Sequence, residues 1–355
     1  MASSPAVQHP SRVLGCLMGG ALGDSFGYLV ESDDVASIRS RYGSAGLLDL
    51  SQADGPVHFS DDTQMTLYTV DGLVEALAWA NDGTAADPNA CLWLAYLRWL
   101  ATQHEPVAAG APSPVPRWID GQEVLHHRRH PGKACLASLA TGEMGTPSRP
   151  INPEARGCGA VMRSAPFGLI PHIPAEAAYK LSTDAAALTH GHASAIQSAA
   201  AFSWLIHGLV AGQDLRAAGE AALARAAANP VPAAELLTAL EAALQLALGP
   251  ILEPEALTAA LGPGWLAEEA LAVGLYAVLA TRDASSSPVD HFLRAIRVAA
   301  NHDGDSDSTA SIAGNILGAF YGEDCLPPSW LALSEAPGLV RDMGRELLKV
   351  TGHAD

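Results

Sequence analysis

Two stripes of small residues place the tightest limit on what this chain can fold into. In "GCLMGGALGDSFG" glycines recur at Gly15, Gly19, Gly23 and Gly27, and far along the chain Ala310, Gly314, Gly318 and Gly322 repeat the same four-residue step. A step of four puts each set on one face of a helix. Glycine inside a helix costs about 1 kcal/mol relative to alanine, so a whole face of it makes sense only where another backbone or a ligand approaches closely. The two helices are therefore expected to pack on each other or on a common neighbour. That packing would carry Asp24 and Glu31, toward the end of the first stripe, to the acidic residues at 303–308. A membrane dimerisation face, the other familiar use of such a stripe, fits poorly because Asp24 would stand mid-span.

The rest of the chain reads as helix as well. Stretches such as "AWANDGTAADPNACLWLAYLRWLATQ", "AAGEAALARAAANP" and "VPAAELLTALEAALQLALG" carry apolar residues at spacings of three and four, and alternating β-branched runs are scarce. Pro-, Gly- and Ser-rich breaks fall at 105–121, 145–157, from 229, and at 281–290, and none is long or polar enough for an interdomain linker. The expected fold is all-α: a single compact multi-helix bundle over residues 11–355, after a flexible N-terminus at 1–10. With 49% hydrophobic and 16% charged residues in 355, the chain can bury a large core. A formal charge of -18 repels phosphate backbones and anionic lipid, so neither nucleic acid nor membrane is an expected partner. Five cysteines are odd in number and form no CxxC pair. That pattern and the lack of a secretory leader pattern point to a reducing, cytoplasmic setting.

Two acidic stretches carry the chemistry. In "NHDGDSDSTASIAGN" Asp303, Asp305 and Asp307 crowd into five positions, and they repel one another unless hydrogen bonds or a cation offset the charge. In "HFSDDTQMTL" Ser60, Asp61 and Asp62 precede an amphipathic run, and Asp61 with Gln64 has the spacing of a capping box. Each stretch alone is explained by helix capping, with Asp307 or Ser308 as the cap in the first of them. Capping does not require so many carboxylates twice. Oxygen-only donors select Mg²⁺, Mn²⁺ or Ca²⁺ over zinc or copper. The spacing is not that of an EF-hand, whose loop glycine and closing glutamate are missing.

Elsewhere, Gly157 and Gly159 in "NPEARGCGAVMRSAPFGL" let backbone N–H groups approach a pyrophosphate at a helix start. Cys158 between them has no evident activating partner for a nucleophile. Arg163 is open to a phosphate contact or a structural ion pair, His192 to a capping or hydrogen-bonded helix role, and "HHRRH" at 126–130 reads as a solvated surface run.

At these residues the sequence resembles the ADP-ribosylglycohydrolase family. The resemblance runs through "GCLMGGALGDSFGYLVE", "SDDTQMTL", "GCGAVMRSAPFGL", "LTHGHASAIQSAAAF" and "GDSDSTASIAGNILGAFYG", in the family's order. It implies an all-α bundle with two Mg²⁺ or Mn²⁺ ions in a central cleft. The implied ligands are Ser60, Asp61 and Asp62 from one motif and Asp305, Asp307 and Ser308 from the other. Both hydroxyl positions are serine where the family usually has threonine, which keeps the oxygen but loosens its rotamer. Asp303 stands where the family has a small residue, and a cap or a hydrogen bond near the ligands is expected of it. Glu31 falls at an acidic position that gates the metal site in serine-directed members. Gly157, Cys158 and Gly159 are the implied diphosphate and distal-ribose loop, and His190 an implied substrate contact.

The implied reaction is removal of ADP-ribose from a modified protein, through an oxocarbenium-like state that carboxylates stabilise. Asp61, Asp62, Asp307 and Glu31 are the expected catalytic groups, with Asp62 or Asp307 orienting water and leaving group. "GCGAVMR" looks more like the arginine-directed branch, so the expected substrate is ADP-ribosylated arginine and the product free ADP-ribose. Serine-linked, nucleic-acid or small-molecule ADP-ribose is the alternative. A non-catalytic ADP-ribose binder and a metal-dependent phosphohydrolase releasing phosphate or AMP are two further readings.

Overall fold

The computed structural model describes residues 7–353, which fold into sixteen helices with no sheet among them. They are α1 (His9–Gly27), α2 (Val35–Tyr42), α3 (Asp61–Asn81), α4 (Pro88–Thr102), α5 (Lys133–Ala140) and α6 (Ala165–Gly168). There follow α7 (Ala175–Ala186), α8 (Ala193–Val210), α9 (Leu215–Ala227), α10 (Ala234–Leu246) and α11 (Pro254–Leu261). The last are α12 (Ala267–Ala280), α13 (Pro288–Ala300), α14 (Ser306–Tyr321), α15 (Pro328–Leu333) and α16 (Pro337–Val350). The all-α expectation is met. Of the ten residues expected to be flexible, 1–6 lie outside the described residues, and α1 already begins at His9.

The expected breaks at 105–121, 145–157 and from 229 fall between helices. That at 281–290 runs into the first residues of α13, with Pro288 at the helix start. The Ala- and Leu-rich stretch from Ala78 to Gln103 is divided between two helices. Asp87 caps α4, its side chain accepting from Asn89 N at 2.9 Å, and Pro88 at the first helical position cannot continue a helix from before it.

The small-residue stripes meet face to face. A Cβ placed on Gly19 would lie 2.4 Å from the Gly314 carbonyl oxygen, and one on Gly314 would lie 2.0 Å from that of Gly19. Gly318 would be 1.9 Å from the Gly15 oxygen, Gly23 2.1 Å from that of Ala310, and Gly27 2.1 Å from that of Ser306. Numbers rise along α1 as their partners fall along α14, so the pair is antiparallel at backbone contact. Asn315 pins the register, its Nδ2 donating to the Cys16 oxygen at 2.8 Å above the space left by Gly20. The antiparallel sense sets the site. The C-terminal end of α1, with Asp24 and then Glu31, is laid against the N-terminal end of α14, with Asp305 and Asp307.

Around this pair pack α3, α8, α12, α13 and α16, closing one large core that contains Phe26 stacked on Trp330 with centroids 4.7 Å apart. Among the described residues α8 is the one helix long and apolar enough to cross a membrane, and 67% of that window is buried inside the protein. All five cysteines are free thiols.

Candidate active site

Capping turns out to be the work of other residues than the acidic pairs. At the start of α3 the Ser60 hydroxyl accepts from Asp62 N at 3.1 Å. The Asp24 carboxylate, reaching across from α1, accepts from Ser60 N at 2.9 Å and from Thr63 N at 3.0 Å. The Asp61–Gln64 capping box does not form. Gln64 is drawn inward, its Oε1 accepting from Trp99 Nε1 at 3.2 Å while its Nε2 donates to the His127 oxygen at 2.8 Å. On α14 the N-cap residue Asp305 makes no side-chain cap bond, and Asp307 accepts only from the adjoining Ser308 N at 3.0 Å. Asp303 is a cap, though for a distant helix: it accepts from Val35 N, the first residue of α2, at 2.7 Å.

The freed carboxylates converge. Glu31, Asp61, Asp62, Asp305 and Asp307 line one cleft of ≈ 370 Å³, together with Ser308. Ser60 lies buried beneath it at the α3 cap and is not on its lining. Asp61 accepts from Gly132 N at 3.1 Å, while Asp62 Oδ2 is buried with no partner at all. Burial first, then the Asp307 charge, drives the Asp62 and Asp305 carboxyls well above their usual range, and burial does the same to Asp61 against its bond from Gly132. The same two causes push Asp24 up to about 7 and Glu31 up to about 8.

A group of hard oxygens with an orphaned carboxylate atom is the donor chemistry that a divalent cation completes. The residues fit such an ion. Among the described residues no three His, Cys, Asp or Glu side chains are yet closed round one point as a metal's ligands are.

Glu31 gives the metal-free cluster a pH signature. Between the ordinary carboxylate pKa of about 4 and its raised value of about 8, the folded protein binds more protons than the unfolded chain. Stability contributed by this group therefore falls as pH rises across that window. Buried neutral histidines such as His190 and His302 act in the opposite sense at its acid end. The cluster's share is isolated by comparison with Glu31→Gln in EDTA. The variant's melting temperature should climb relative to wild type from about pH 5 to about pH 8 and then level, whereas a constant difference would mean that Glu31 is unperturbed.

Another part of the lining, next to the carboxylates, donates hydrogen bonds. Gly157, Cys158 and Gly159 form a tight turn pinned by Cys158 N to the Trp265 oxygen at 3.1 Å, so that one N–H is not free for a ligand. The Cys158 thiol donates to Asp305 Oδ2 at 2.8 Å, and burial followed by the Asp305 charge holds it protonated, which excludes a thiolate nucleophile. A Cβ on Gly159 would lie 2.9 Å from Cys135 Sγ and 3.0 Å from His190 Cε1, so only glycine leaves the His190 ring edge open to the cleft. His190 is buried and its pKa is pushed down to about 3, chiefly by burial. His192 caps α8, its Nδ1 accepting from Ser194 N at 3.1 Å.

Three residues on this cleft carried no signal at the sequence level: His130, Lys133 and Trp265. Lys133 opens α5, whose N-terminal turn faces the cleft and adds the positive end of the helix to the ammonium charge. The "HHRRH" run is not a solvated surface throughout. Arg129 is buried, donating to the Phe59 oxygen at 2.9 Å and to Glu335 Oε1 at 2.8 Å, while His130 Nδ1 sits 2.8 Å from Glu31 Oε2. Arg163 meets neither phosphate nor carboxylate, being fully buried beneath the wall. A larger cleft of ≈ 430 Å³ beside Trp118 holds no comparable cluster, since its Asp71 is paired with Arg98 and Arg117.

The ADP-ribosylglycohydrolase family pattern matches residues 4–355. No curated protein matches the sequence. A solved structure described as an "ADP-ribosylglycohydrolase-related protein complex" superposes with a TM-score of 0.66 at 23% identity, covering 97% of this chain and 99% of that one. At that identity the likeness speaks for the fold, and the family match speaks for the chemistry. The chain belongs to the ADP-ribosylglycohydrolase family, hydrolases that act on ADP-ribosylated substrates.

Proposed function

We propose that this cleft frees ADP-ribose from a modified protein by cleaving the N-glycosidic bond of ADP-ribosyl-arginine. One observation carries the reading: the cleft lining brings together carboxylates at the N-termini of α3 and α14 and hydrogen-bond donors at Gly157–Gly159, His190 and the start of α5. An ADP-ribosyl group has the matching polarity. Its diphosphate suits the donors and Lys133, its anomeric carbon suits the carboxylates, and the cationic guanidinium of the leaving side suits an acidic mouth.

Asp61, Asp62, Asp305, Asp307 and Ser308 would hold two Mg²⁺ or Mn²⁺ ions, with Ser60 supporting them from the cap. Such ions supply Lewis acidity and offset the carboxylate repulsion. Asp62 or Asp307 orients water and leaving group, and the carboxylates, completed by Asp61 and Glu31, stabilise the positive charge that grows on the ribose ring as the bond breaks. The turn at Gly157–Gly159 and His190 hold the diphosphate and distal ribose so that the anomeric carbon stays over the carboxylates. We place the protein in the cytoplasm, a setting that five free thiols support.

The test is release of ADP-ribose, followed by mass spectrometry, from ADP-ribosylated arginine and serine peptides with Mg²⁺, Mn²⁺ or EDTA. Release from the arginine peptide with either metal and none in EDTA is the expected result. Release from the serine peptide alone would overturn the linkage, and phosphate or AMP in place of ADP-ribose would overturn the reaction. If neither peptide is cut while ADP-ribose still raises the melting temperature, the protein is a binder.

A further inference from the structure

A guanidinium buried without a carboxylate is costly, and Arg163 is one. It is 1% exposed. Its Nη2 donates to Thr189 Oγ1 at 2.7 Å, and its Nη1 to Cys135 Sγ at 3.3 Å and Met65 Sδ at 3.4 Å. The Tyr96 ring centroid lies 4.4 Å from its Cζ. Among the described residues every one of these partners is neutral, with burial holding the Cys135 thiol protonated. So expensive a charge under the donor wall needs a local use.

The use lies one bond further on. Thr189 Oγ1 is 2.8 Å from His190 Nδ1. A hydroxyl that accepts from a guanidinium keeps its own proton to give, and a cation on that side of the ring opposes an N–H dipole at Nδ1. Nδ1 is thereby left as the acceptor and the ring proton goes to Nε2. Among the described residues Nε2 has no partner, and it lies 3.3 Å from where a Cβ on Gly159 would stand, at the lining of the cleft. Through Cys135, whose Sγ–H points to the Gly159 oxygen at 3.8 Å, the same guanidinium braces the turn that leaves this edge open.

We propose that Arg163 is a positioning residue that, acting through Thr189, fixes His190 as the neutral imidazole with its proton on Nε2. His190 then offers the cleft one aimed hydrogen-bond donor and acts neither as base nor as cation. That its target is an oxygen of the ADP-ribosyl group rests on the function proposed above. The tautomer itself does not.

The experiment uses the full chain with Thr189→Val, which removes the hydroxyl at nearly constant volume, and Thr189→Ser, which restores it. Imidazole ¹⁵N spectra at pH 7, with His190 identified by the signals lost in His190→Gln, should show the Nε2–H form in wild type and Thr189→Ser. In Thr189→Val the two tautomers should mix. ADP-ribose affinity in Mg²⁺, measured by calorimetry, should weaken about tenfold in Thr189→Val and recover in Thr189→Ser, as expected for one misdirected donor to a charged ligand. A merely structural role would not be rescued by serine with the tautomer following. An Nδ1–H or doubly protonated ring in wild type would overturn the proposal, as would a Thr189→Val protein that binds ADP-ribose as tightly as wild type. If wild type neither binds nor releases ADP-ribose yet holds His190 as Nε2–H, the tautomer assignment stands and the proposed function falls.

Discussion

Leucine at Gly314 should cost roughly 4 kcal/mol or more and lower the melting temperature by about 5 °C or more. The size follows from what the side chain would strike. At Gly314 even a Cβ would lie 2.0 Å from the Gly19 carbonyl oxygen, and that oxygen belongs to a helix backbone that cannot swing aside as a side-chain tip could. Gly19→Leu should do the same from the other side, and the two effects should not add, because separating the helices once removes both clashes. Gly55→Ala is the control, since a Cβ there meets nothing within 4 Å, and it should be neutral or slightly stabilising. Thermal melts of the three variants check this. An unchanged midpoint in Gly314→Leu would show that α1 and α14 do not touch as described.

Asp307→Ala should reduce kcat/KM for ADP-ribosylated arginine by about a thousandfold or more, since it removes both a proposed ligand and a charge facing the reacting carbon. It should not weaken the fold. The Asp307 charge raises the cost of ionising Asp24, Glu31, Asp62 and Asp305, and its own oxygens accept only one backbone N–H. In EDTA the variant should melt at or above wild type, and Mg²⁺, which should stabilise wild type, should do less for it. Activity retained by Asp307→Ala would refute its assignment to the metal site. A large loss of stability in EDTA would instead make it a structural residue.

The parts of this molecule legible in the sequence are those whose physics is local. The glycine stripes announce a helix face and a close approach because the cost of each glycine is felt at its own position. The crowding of Asp305 and Asp307 is equally visible, because like charges two residues apart have nowhere to separate. What the sequence concealed are pairings between distant segments. Asp24 caps α3 from another helix, which freed Asp61 and Asp62 and made the Asp61–Gln64 spacing misleading. Arg129 looked like part of a solvated basic run because its partner Glu335 stands 206 residues away. Lys133 and Trp265 belong to segments with no marked pattern, and only the fold brings them to the cleft.

The backbone contact between α1 and α14 also has a meaning for synthesis on the ribosome. Gly19 emerges about 300 residues before Gly314, which at roughly 5–20 residues per second is about 15–60 s. Throughout that interval the glycine face of α1 has no partner, and the carboxylates of α3 have no opposite number. A nascent chain therefore carries half a site and no activity until α14 has been made. The stretch that covers the glycine face of α1 is thus the same one that completes the cleft.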